Sequence, residues 1–154
     1  MEELDLIDLK ILKKLQSNSN VTTKELASHV NLSTTPVFER VKKLEKVGYI
    51  KKYVAVLDPN KLNKSLIAFC SIRLKEHTKE IGHKFVEDIK SLKEITECYN
   101  ISGDYDFLLK VIVRDMKHYQ DFVLNSLGSV NNVGSAHTTF VMGEIKQSYE
   151  VPID

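Results

Sequence analysis

Thr22 to Gly48 reads TTKELASHVNLSTTPVFERVKKLEKVG, and the punctuation of this stretch decides the fold. It divides into two short helices joined by a three-residue turn. T-x-x-E ending at Glu25 is a capping box, so a first helix starts at Thr22 and buries Leu26, Ala27 and Val30 on one face. Asn31 ends it, because Asn tolerates the left-handed backbone of a helix C-terminus, and Leu32 turns back into the core. Ser33 is the N-cap of the second helix. Pro36 falls in its first turn, where a missing N–H costs nothing.

At 100° per residue, Val37, Val41 and Leu44 fall in a narrow apolar stripe. Thr35, Glu39, Lys42, Lys43 and Lys46 collect opposite. One face packs and the other is left for a partner, as in a helix-turn-helix whose second helix presents small polar groups to base edges and cations to phosphates. The competing reading is a plain helical hairpin with a solvated lysine face.

Other motifs lie on either side. D-L-I-D-L-K-I-L occupies Asp5 to Leu12, and L-S-x-x-x-V-x-x-R-V-x-x-L-E-x-x-G-x-I occupies Leu32 to Ile50. S-G-D-Y-D-F-L-L-K follows at Ser102 to Lys110 and M-G-E-I-K-Q-S at Met142 to Ser148. In this order and across essentially the whole chain, they resemble the Lrp/AsnC family of bacterial and archaeal transcription regulators. The resemblance outweighs the plain hairpin.

The 154 residues accommodate two small domains. The formal charge of +1 conceals an asymmetry: residues 1 to 64 hold 12 Lys/Arg against 8 Asp/Glu, and residues 65 to 154 hold 10 against 13. A basic N-terminal half joined to an acidic C-terminal half suggests that nucleic acid is held at one end only. Cys70 and Cys98 lie in apolar, strand-like runs without metal-ligand spacing and read as reduced core residues of a cytosolic protein. The acidic N-terminus lacks the apolar run of a signal peptide, and no segment approaches the roughly 20 apolar residues that span a bilayer. The expected location is the cytoplasm, in association with the nucleoid.

Asp5, with Asp8 three residues on, caps a preceding helix whose apolar face is Ile7, Ile11, Leu12 and Leu15. After Gly48 the period changes. Ile50 to Leu57 is rich in strand formers and precedes the turn signal D-P-N, so it reads as a linking strand that needs a pairing partner. From Ser65 the order is strand, helix, strand, strand, helix, strand. Ile81, Phe85 and Ile89 recur as a helix on a sheet requires, and S-G-D at 102 to 104 joins two strands. Asp115 caps a helix buried through Met116, Tyr119 and Val123, Val133 to Met142 is the last core strand, and Glu144 to Tyr149 is expected to add one more.

The expected class is therefore α+β: a three-helix helix-turn-helix domain (1–50), a linking strand and hinge (51–64), and a ferredoxin-like βαββαβ domain (65–154). With both helices on one sheet face, the other face needs a cover. Ile67, Phe69, Phe107 and Leu109 are its candidates for a subunit interface.

Gly103, Asp104, Tyr105 and Asp106 form the densest polar cluster within apolar sequence. Two carboxylates so close suit acid/base or metal chemistry, and equally the capping of a hairpin's own N–H groups. His29, His77, His83, His118 and His137 are scattered without the spacing of a zinc site, and neither a Gly-rich phosphate loop nor a nucleophile elbow is present. No enzyme and no cofactor is expected.

The family resemblance implies that the 103–106 loop helps form an amino-acid effector pocket between dimers of an octameric ring. Gly103, Asp104 and Asp106 would then serve the ligand's amino group, and Thr138 and Thr139 its carboxylate. It further implies that Thr34, Thr35, Glu39, Arg40, Lys42, Lys43 and Lys46 face double-stranded DNA, and that the linking strand pairs with its copy in a second subunit. Two other readings stand beside this one: an architectural protein that compacts DNA, and an amino-acid-binding assembly domain whose helical module docks protein.

Overall fold

The computed structural model describes residues 3–153. Three helices, α1 (Leu6–Ser17), α2 (Thr23–Val30) and α3 (Thr34–Val47), form the first unit. Two start with reciprocal capping boxes. Asp5 accepts from the backbone N–H groups of Ile7 and Asp8 at 2.9 and 2.8 Å, and Asp8 accepts from the Asp5 N–H at 3.3 Å. Thr22 accepts from Glu25 N–H at 3.2 Å, and the Glu25 carboxylate takes the Thr22 N–H at 2.7 Å. Ser33 occupies the N-cap position of α3, but its hydroxyl makes no capping bond.

Asn31 closes α2 at φ 56°, and Leu32 N–H returns to the Ala27 carbonyl at 3.0 Å. Gly48 ends α3 at φ 90°, a backbone state that a side chain would strain. Inside, Ile11, Leu15, Leu26, Ala27, Val30, Val37 and Leu44 make one buried cluster.

These caps carry a pH dependence. The Asp8 N–H, aided by Arg40, holds the Asp5 carboxyl below its ordinary 3.8, and the Thr22 N–H and hydroxyl hold Glu25 below 4.5. A depressed carboxylate stabilises the fold above its unfolded pKa, and that contribution is lost as pH falls through the folded value. Acid titration followed by helical circular dichroism is expected to show the caps at full strength above about pH 5 and failing progressively below pH 4. A helical signal that weakens instead between pH 7 and 5 would contradict this.

The segment from Lys146 groups by contact with these helices. Gln16 on α1 grips its backbone twice: Gln16 Nε2 donates to the Val151 carbonyl and Val151 N–H donates to Gln16 Oε1, both at 3.1 Å. Gln16→Ala is expected to speed amide hydrogen exchange at Val151 at least tenfold while shifting global stability by no more than about 1.5 kcal/mol.

The second unit runs from Leu57 to Ile145. Its strands are β1 (Leu66–Leu74), β2 (Ile95–Asn100), β3 (Phe107–Val113) and β4 (Val133–Phe140). Helix α4 (Lys79–Lys90) follows β1, and α5 (Met116–Asp121) follows β3, continuing through a π-helical turn (Phe122–Ser126) and a 3₁₀ turn (Leu127–Ser129). The sheet order is β2-β3-β1-β4, with every neighbouring pair antiparallel, as the ferredoxin-like arrangement requires.

Register decides which face is core. Ala68, Cys70, Ile72 and Leu74 of β1 alternate into the interior, as do Phe107, Leu109, Val111 and Val113 of β3, against Phe85, Ile89, Tyr119 and Phe122. This splits the expected interface set. Ile67 and Phe69 lie on the other face, opposite Ile112 and Lys110, whereas Phe107 and Leu109 point into the core.

Residues 51–57 have no strand partner among the described residues of this chain; the pairing expected of them is with a second subunit. Tyr53, Val54, Val56 and Leu57 are exposed there. Three further expectations fail, at Glu144 to Tyr149, Cys98 and Met116. Glu144 to Tyr149 forms no strand: after Val141 N–H reaches the Ile67 carbonyl, the chain leaves the sheet edge. Cys98 is exposed because β2 is an edge strand; Cys70 alone is buried, and both thiols are free. Met116, expected inside, is exposed on α5.

Candidate functional site

Val37 and Leu44 fix α3 by its buried stripe, and this turns Thr34, Thr35, Phe38, Glu39, Lys42, Lys43 and Lys46 to the exposed side. Lys42 pairs with Glu45 at 2.9 Å and lies 5.7 Å from the centroid of the Phe38 ring. Tyr53 also donates to Glu45, at 3.0 Å, and partial burial together with that carboxylate pushes its hydroxyl up to about 12.

Arg40 stands apart from this face. Its Nη1 lies 2.7 Å from Asp5 Oδ2 and 2.7 Å from Asp8 Oδ1, so the guanidinium is held by both capping carboxylates of α1. Sequence pattern identified the arginine but not its partners, which lie more than thirty residues away.

In the second unit Gly103, at φ 114°, turns the hairpin connection, and Asp104 projects with its side chain 94% exposed. Arg73 binds back across it: Nε donates to the Asp104 carbonyl at 2.7 Å, Nη2 donates to the same oxygen, and the guanidinium lies 5.7 Å from the Tyr105 ring centroid. Asp106 points elsewhere. One oxygen accepts from Leu74 N–H at 2.7 Å and the other lies 3.2 Å from His77 Nε2. Asp104 and Asp106 therefore do not converge on one ligand-sized point. Among the described residues no three His, Cys, Asp or Glu side chains cluster as a metal ion would need.

Thr138 and Thr139 are separated by strand alternation. Thr138 faces the helices, where its hydroxyl meets Tyr119 Oη at 2.5 Å and Cys70 Sγ at 3.3 Å; burial drives the tyrosine pKa upward. Thr139 is exposed on the opposite face, opposite Phe69. His137, two residues back on that face, stacks with Tyr105 at 6.2 Å between centroids. Arg73, His77 and His137 thus contact the 104–106 segment, a placement that sequence reasoning missed. The one available signal was Arg73, a charge interrupting the apolar run of β1.

Two family models match the chain: a winged helix-turn-helix DNA-binding model over residues 4–51 and the Lrp/AsnC ligand-binding domain over residues 67–151. The chain belongs to the Lrp/AsnC family. It is 39% identical over 152 residues to the leucine-responsive regulatory proteins of Escherichia coli K12 and Klebsiella pneumoniae, covering 99% of this chain and 93% of each relative.

Among solved structures, a transcriptional regulator of Neisseria meningitidis in complex with L-Met superposes with a TM-score of 0.93 at 35% identity, covering 97% of each chain. An AsnC-family regulator from Agrobacterium tumefaciens gives 0.91 at 38%, again over 97% of each. The E. coli AsnC structure gives 0.89 at 26%, over 97% of this chain and 99% of its own. As an Lrp/AsnC protein, this chain is a helix-turn-helix DNA-binding transcriptional regulator with an amino-acid-binding type of C-terminal domain. Its relatives are regulators rather than enzymes, and no helix among the described residues is long and apolar enough to cross a membrane.

Proposed function

We propose that α3 lies in the major groove of double-stranded DNA, with Thr34, Thr35 and Glu39 toward base edges and Lys42, Lys43 and Lys46 along the phosphates, under control of a free amino acid. The observation that carries this is the two-sided α3, with Val37 and Leu44 buried and the threonines and lysines exposed on the other side. Neutralising Lys42 and Lys43 together, as Lys42→Gln and Lys43→Gln, is expected to weaken binding to every DNA sequence. The salt dependence, d log K/d log[salt], should become shallower by about 2. An unchanged slope in a fluorescence titration across salt concentrations would count against the assignment.

For the effector we read the loop Gly103–Asp106 with Thr139 and Arg73 as the receiving surface. A free amino acid is a zwitterion, and the exposed Asp104 carboxylate beside the Arg73 guanidinium offers both signs of charge, with the Thr139 hydroxyl as a further donor. Thr138 supports this surface from beneath through Tyr119. Calorimetry with a panel beginning at leucine and methionine is the test. The amino acid is expected to bind, and its decarboxylated amine and its amide are not; equal binding of the amine would remove Arg73 from the site.

Assembly through the sheet face turned away from the helices, which bears the partly buried Ile67 and Phe69, and through the exposed residues 53–57 gives a dimer, with four dimers as the octamer that a pocket between dimers requires. Light scattering of the full chain reads this directly, a monomer being the contrary result. The working location is the bacterial or archaeal cytoplasm at the nucleoid.

A further inference from the structure

Arg40 on α3 is held by two carboxylates from the N-terminal end of α1. Asp5 divides its labour: Oδ1 caps α1 through two backbone N–H groups, and Oδ2 takes Arg40. Asp8 does the same, with Oδ2 on the Asp5 N–H and Oδ1 on Arg40. The grip is sheltered at its Asp8 end, where that side chain is 14% exposed and Arg40 31%, while Asp5 is half exposed. One cation between two anions leaves the cluster at −1. It offers a DNA phosphate no net attraction, and pulling Arg40 away would leave two carboxylates unpaired.

Arg40 also follows Val37 by three residues and precedes Leu44 by four, on the flank of the buried stripe. A charged contact there adds a directional constraint on the rotation of α3 about its own axis to the one the apolar stripe already supplies.

Resting on the reading of α3 as the DNA-facing helix, we infer that Asp5, Asp8 and Arg40 form a positioning clamp for DNA binding, locking the rotation of α3 from the N-terminus of α1. Arg40 acts through its carboxylates and makes no phosphate contact. The consequence is a reversal of sign. Removing an acid near DNA ordinarily tightens binding, since a repulsion is lost. Removing either of these acids weakens it.

The experiment is a DNA titration across salt concentrations with the full-length protein, its Asp5→Asn, Asp8→Asn and Arg40→Gln variants, and the Lys42/Lys43 double neutralisation alongside. Asn caps a helix as well as Asp does, so Asp5→Asn keeps α1 folded. Melting above the assay temperature certifies each variant.

Asp5→Asn and Asp8→Asn are expected to lose about tenfold in affinity, the order of effect for breaking a sheltered charge pair. Arg40→Gln is expected to lose as much with the salt slope unchanged. Tighter or equal binding by the Asn variants overturns the clamp. So does a slope for Arg40→Gln that falls by about 1, the mark of a lost phosphate contact. Failure of the helix-face reading shows separately, as an unchanged slope in the double lysine variant.

Discussion

Ile11→Ala is expected to abolish DNA binding while the sheet unit stays folded. Ile11 is fully buried at the centre of a seven-residue apolar cluster drawn from all three helices. Truncating such a side chain costs about 2–5 kcal/mol, from lost transfer energy and from the cavity left behind. A unit this small has little reserve, since domains of this size are stable by only a few kcal/mol. The helices that carry the DNA-facing side chains therefore melt first. A thermal scan by circular dichroism is expected to show an early helical transition and a sheet transition where it was before. Full-affinity binding at 25 °C, with an unshifted helical melt, would falsify this.

Phe85→Ala has the complementary effect. Phe85 is 1% exposed under the sheet and its ring lies 4.6 Å from that of Phe107. Its removal is expected to cost the second unit about 3–5 kcal/mol in cavity and transfer terms. The lost aromatic pair adds about 0.5–1.5 kcal/mol. Urea unfolding should show a lower midpoint at constant slope, and sedimentation should show loss of the assembled species. Met116→Ala, on an exposed side chain in the same unit, serves as the contrast and should stay within about 0.5 kcal/mol.

The element order was legible because local chemistry carried it. Asp5, Thr22, Asn31 and Asp115 mark helix ends by bonds to residues two to four positions away, and each does so in the structure. The apolar period likewise fixed Ile81, Phe85 and Ile89 on the sheet-facing side of α4. What failed depends on distant or absent partners. Which parity of β1 and β3 faces the helices is set by pairing across some forty residues, so Phe107 and Leu109 were assigned to the wrong face. Residues 144–149 have strand composition, but a strand is defined by its neighbour. The bonding of Arg40 to Asp5 and Asp8, and of Arg73 to Asp104, belongs to the same class: each residue type was visible in the sequence and its partner was not.

The grip of Gln16 on Val151 has a bearing on how this protein is cut into pieces for expression. The segment from Lys146 groups with the helical unit although it follows the four-stranded one in the chain. A fragment that stops at the end of the linker leaves behind a piece of the helical unit. A truncation just before Lys146, designed to trim a loose end, removes a strap from the helical unit while leaving all four strands of the sheet.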